Sequence, residues 1–84
     1  MTMTQHIDES SFYKTSDLSL AASLYLAHPL EVIDKTSNPH NSDFVFAHTN
    51  DLDAFIDRFW RGELQVEPRR YFEALRAIKA RLYD

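Results

Sequence analysis

The chain is predicted to be an α+β domain in the order β, α, β, β, α, α, with a small three-stranded antiparallel sheet (order 2-3-1) and helices packed on one face. Three observations predict it. Turn formers in the run TSNPHNS, centred on Asn38 and Pro39, separate two segments that read as strands, so an antiparallel hairpin is expected. Two later segments repeat apolar residues at helical spacing between recognisable ends. A third helix, LSLAASLYLAH, is apolar over most of its circumference. A right-handed crossover from strand 1 to strand 2 followed by a hairpin makes every neighbouring pair antiparallel in the order 2-3-1.

Taken in order, residues 1–10 are polar and aperiodic and read as a disordered tail, leaving 11–84 as a single domain. Phe12–Thr15 reads as the first strand, stopped by Ser16 and Asp17, either of which can cap a helix with its side-chain oxygen. The helix beyond presents Leu18, Ala21, Ala22 and Tyr25 on one stripe and Leu20, Leu24 and Ala27 on another, and Pro29 ends it. Cover is expected on more than one side, from the sheet and from either a second helix or a partner chain. Leu30–Lys35 and Asp43–His48 are the hairpin strands, with Phe44 and Phe46 on one face and Val45 and Ala47 on the other. Thr49, Asn50 and Asp51 offer capping oxygens to the next helix, with Asp53 three residues after Asn50 as in a shortened capping box. Its apolar residues are Leu52, Phe55, Ile56 and Phe59, and Gly62 suits the left-handed position that closes it. Pro68 suits the first position of the last helix, whose stripe is Tyr71, Ala74, Leu75, Ile78 and Leu82, with Phe72 at the edge.

Composition is that of an ordinary globular domain, 44% hydrophobic and 26% charged with one glycine, which argues against low complexity. The net charge of −4 is unevenly placed. Residues 1–60 carry nine acids against Lys14, Lys35 and Arg58, whereas residues 61–84 carry six bases against four acids. An acidic body thus ends in a basic helix. The absence of cysteine excludes disulfides and thiolate metal sites. With no signal-peptide pattern at the start and no long apolar run, a cytoplasmic protein without membrane contact is expected.

Catalysis finds little footing. Lys14, Ser16 and Asp17 show no triad spacing, and capping accounts for Ser16 and Asp17, so no enzyme and no cofactor are expected. Asp51, Asp53 and Asp57 with His48 invite a metal reading, but acids in a first helical turn are favoured by capping and by the helix dipole; no metal is assigned. Phe44 and Phe46, with Phe12 or Tyr13, would make a base-stacking platform on an open sheet face, although large aromatics on a strand are more often core.

The outer face of the last helix carries Arg69, Arg70, Glu73, Arg76 and Arg81, with Lys79 on a flank. A solvated face laced with the Arg69–Glu73 and Glu73–Arg76 pairs accounts for it, and so does a surface that neutralises phosphates. Trp60 reads as packing over the ELQV link and the base of the last helix, or else as an exposed anchor for a partner.

The runs TSDLSLAASLYLA, FVF and WRGELQVEPRRYFEALRAIKARLY resemble the signature of an uncharacterised family of short bacterial and mobile-element proteins, a domain of unknown function with the pattern WxGELxVxPRRYFxAL. The resemblance spans Ser11–Tyr83. It implies no reaction or cofactor, and it implies a setting in phage, plasmid or transposon biology. The expected function is a non-catalytic protein-interaction module or accessory subunit, with Trp60, Arg61, Arg69, Arg70, Arg76 and Lys79 as partner-binding residues. Its partner is another protein or a second copy met through the apolar first helix. An accessory nucleic-acid binder using the basic C-terminal helix is the alternative.

Overall fold

The computed structural model describes residues 11–35, 38 and 41–83. The elements are β1 (Phe12–Thr15), α1 (Leu18–Tyr25), β2 (Leu30–Asp34), β3 (Asp43–Ala47), α2 (Asn50–Trp60) and α3 (Pro68–Tyr83). The expected tail at 1–10, and Thr36, Ser37, Pro39 and His40 of the hairpin turn, lie outside the described residues.

β3 is the central strand, paired antiparallel with β1 on one side and β2 on the other. This is the expected order read from either edge. Tyr13 and Leu30 flank Phe46, and Thr15 and Ile33 flank Phe44, on the face that meets the helices. Leu30 and Ile33 are three residues apart, so strict alternation would send them to opposite faces. A register shift between Leu30 and Val32 leaves Glu31 without an opposite number, and this bulge lets both point inward. On the outer face Lys14 and Val32 flank Val45. Lys14 Nζ lies 3.9 Å from Asp34 on the far strand. Val45, on the strand between them, is only 5% exposed.

α1 is the middle of the molecule. Leu20, Ala21, Ala22 and Leu24 have no exposed surface, and Ser23 is buried with them. α3, α2 and β1 all pack on this helix, and the inward residues of α3, Ala74 and Ile78, are themselves buried. The expectation that α1 leaves an apolar arc for a partner is therefore corrected. Ala21 and Ala22 are short enough for neighbouring elements to approach closely, and one small chain suffices to cover the helix. Phe44 and Phe46 are 2% and 0% exposed, so they are core and form no stacking platform. The helix is also shorter than its apolar run, ending at Tyr25, with Leu26–His28 turning ahead of Pro29.

Side-chain and backbone caps set the helix ends. Asp17 opens α1, its carboxylate accepting from the Leu20 N–H at 3.0 Å and the Ser19 hydroxyl at 2.7 Å. α2 is opened by Thr49, whose Oγ1 accepts from the Leu52 N–H at 3.0 Å. Asn50 is then the first helical residue, and the expected Asn50–Asp53 capping box does not form. Asp53 instead meets His48 Nε2 at 2.9 Å. Gly62, at φ 72°, closes α2 as expected. Its N–H donates to Phe59 O at 3.1 Å and that of Glu63 to Arg58 O at 3.0 Å, the paired bonds of a Schellman motif.

Candidate docking surface

α3 begins where Pro68 places it, and its cap is Glu67. The Glu67 carboxylate accepts from the backbone N–H groups of Arg69 at 3.2 Å and Arg70 at 3.0 Å. Sixteen residues then run for about 24 Å. At 100° per residue the buried Ala74 and Ile78, with Tyr71, Leu75 and Leu82 packed beside them, set the inward direction. Opposite them Phe72, Arg76, Lys79 and Tyr83 recur at spacings of four, three and four, with Arg69 one turn earlier on the same side. Phe72 is 61% exposed and Tyr83 62%. Phe72 thus belongs to the outer face and not to the edge of the core stripe.

Among the described residues none of Arg69, Arg70, Arg76, Lys79 and Arg81 makes an ion pair, and the expected Arg69–Glu73 and Glu73–Arg76 pairs do not close. Arg70 and Arg81 lie round the helix from the other three. Arg70 borders an open groove of about 470 Å³ between the end of α1, α2 and the 63–67 link, whose walls include Leu26, Phe55, Leu64 and Arg58. Arg81 lies beside Val32 and Lys35 at the sheet.

Trp60 is 62% exposed, its ring edge-on to Phe59 at 4.9 Å. At that exposure it does not seal the link against α3 as the packing reading expected; it is a largely exposed aromatic at the end of α2. Arg61 is held locally, with Nη2 at 2.9 Å from Asp57 and 3.5 Å from Glu63. Of the six residues expected to bind a partner, the fold puts Arg69, Arg76 and Lys79 on one stripe, turns Arg70 to the groove, and leaves Trp60 and Arg61 at the end of α2. Phe72 and Tyr83 were missed as surface residues. The signal that finds them is the phase they share with Arg76 and Lys79.

Among the described residues no three His, Asp or Glu side chains come together as metal ligands, and no helix is long and apolar enough to cross a membrane. Asp51 and Asp53 occupy the first turn of α2, where the helix dipole favours them. No curated protein and no solved structure matches the chain. The model of a domain of unknown function, DUF5659, matches residues 10–84, a span that includes every described element. By that match the chain belongs to the DUF5659 family.

Proposed function

We propose that this chain is a small non-catalytic docking module, an accessory subunit that recognises another protein or a second copy of itself through the outer face of α3, with Trp60 as a further anchor. One observation carries the reading: two aromatic rings more than 60% exposed share a helical stripe with cations that have no acidic partner among the described residues. Each ring offers on the order of 150–250 Å² for burial, and aromatic and arginine side chains are the commonest binding hot spots. The same unpaired cations favour a second reading, an accessory nucleic-acid binder, since each cation set on a phosphate releases counterions. The net charge of −4 weighs against it. The setting we infer is a phage, plasmid or transposon system, on the strength of the WxGELxVxPRRYFxAL resemblance, and a cytoplasmic one, on the cysteine-free composition.

A photo-crosslinking amino acid in place of Phe72, introduced in the native host, tests the proposal against the same probe at Ser19, which is exposed on α1. A discrete protein adduct from position 72, absent from position 19 and unchanged by nuclease, is expected. A nuclease-sensitive product would move the function to the second reading. No adduct from position 72 would remove both.

A further inference from the structure

We infer that the face of α3 is made to receive the outer face of α2 from a second copy of this chain. The inference rests on the docking reading above and names its partner. On α2, Leu52 and Phe55 are buried, and Asn50, Asp53, Asp57 and Trp60 recur on the outer side at spacings of three, four and three. On α3 the outer residues Phe72, Arg76, Lys79 and Tyr83 recur at four, three and four. Alternating steps of three and four keep one side of a helix turned towards a neighbouring helix, the spacing used by paired helices.

Laid antiparallel, the two stripes match position by position. Trp60 meets Phe72, Asp57 meets Arg76, Asp53 meets Lys79, and Asn50 lies beside Tyr83. The acidic stripe covers about 15 Å and the basic one about 16.5 Å. Antiparallel pairing also sets the positive N-terminal end of α2 beside the negative C-terminal end of α3. Within one copy the stripes cannot meet, because α2 and α3 both turn their inner sides to α1 and their outer sides away from it.

Neighbouring charges permit the arrangement. His48 contacts Asp53 at 2.9 Å and Arg61 contacts Asp57 at 2.9 Å, yet the two carboxylate side chains remain 56% and 63% exposed with acceptor sites to spare. Arg61 falls towards the Arg69 end of the opposing stripe, where Glu63, 3.5 Å from it, offsets its charge. Glu73 is the one acid on the exposed side of α3, and it lies to one side of the stripe.

The test uses the full chain. Sedimentation at low salt is expected to show an apparent mass that rises with concentration and falls as salt is added. Trp60 is the sole tryptophan, so its emission should shift to the blue as the association forms. The charge-reversed pairs Arg76→Glu with Lys79→Glu, and Asp53→Lys with Asp57→Lys, should each weaken self-association at least ~tenfold. Mixing the two variants restores it, since the acidic α3 of one now faces the basic α2 of the other. Should a double variant lose its helical circular dichroism, the single reversals Arg76→Glu and Asp57→Lys give the same cross. A monomeric wild type, self-association that persists in both variants, or no recovery on mixing would each overturn the inference. A monomeric wild type whose position 72 still crosslinks a different protein discards this inference alone, whereas no crosslink at all discards the docking reading.

Discussion

Asp17 shows how much one side chain can do at the start of a helix. Its backbone N–H donates to Thr15 Oγ1 at 3.0 Å, and its carboxylate accepts from Leu20 and Ser19, so it joins the end of β1 to the start of α1. The Leu20 N–H, with the Ser19 hydroxyl second, holds its carboxyl below the ordinary carboxylate value. A depressed folded-state value means that the stabilisation is complete above the unfolded pKa and is lost as pH falls through the folded one. Asp17→Ala should therefore cost about 1 kcal/mol at neutral pH in denaturant titration. Asp17→Asn keeps the cap but removes the ionising group, and its stability should fall less than that of the wild type on acidification. An unchanged acid limb in Asp17→Asn would show that the carboxylate contributes nothing through its charge. Ser16 and Asp17 both read as caps in the sequence, and only the third dimension, through Thr15 and Leu20, selects the second.

The helix ends show which features are legible in a sequence and which are not. Pro68 and Gly62 act through their own backbones, so their positions could be read directly. Gly62 sits in the left-handed region, and a Cβ there would meet nothing within 4 Å. Gly62→Ala should thus cost about 1–2 kcal/mol from the left-handed backbone itself, with no clash against the rest of the fold. Gly62→Asn, which tolerates that region better, should recover part of the loss in the same thermal melts. Full stability in Gly62→Ala would mean that the α2 terminus rearranges without it. Thr49, Asn50 and Asp51 can all cap, so the sequence leaves three possible starts for α2. Glu67 was missed because glutamate is not among the favoured N-caps. Its longer side chain folds back here to reach the Arg69 and Arg70 N–H groups. The bulge at Glu31 left no mark in the alternation of β2, since it appears only when Leu30 and Ile33 must face the same core.

At the scale of the whole molecule, the question is which apolar residues the chain covers by itself. The breadth of the α1 apolar arc was legible, but its cover was not, because periodicity reports which side of a helix is apolar and not how many neighbours it has. In the folded chain α1 is enclosed, whereas Phe72 and Tyr83, one of them read as the edge of a core stripe, remain outside. The two sets should respond oppositely to truncation. Leu20→Ala removes a fully buried side chain beneath the sheet and helices, and should cost roughly 2–5 kcal/mol. That is a large share of the stability of so small a domain. Phe72→Ser combined with Tyr83→Ser should stay within about 0.5 kcal/mol of the wild type in the same urea titration, while abolishing the position-specific crosslink, now read from a probe at Arg76. If the double variant instead destabilises the chain as Leu20→Ala does, the two rings belong to the core, and neither the docking face of α3 nor its pairing with α2 of another copy survives.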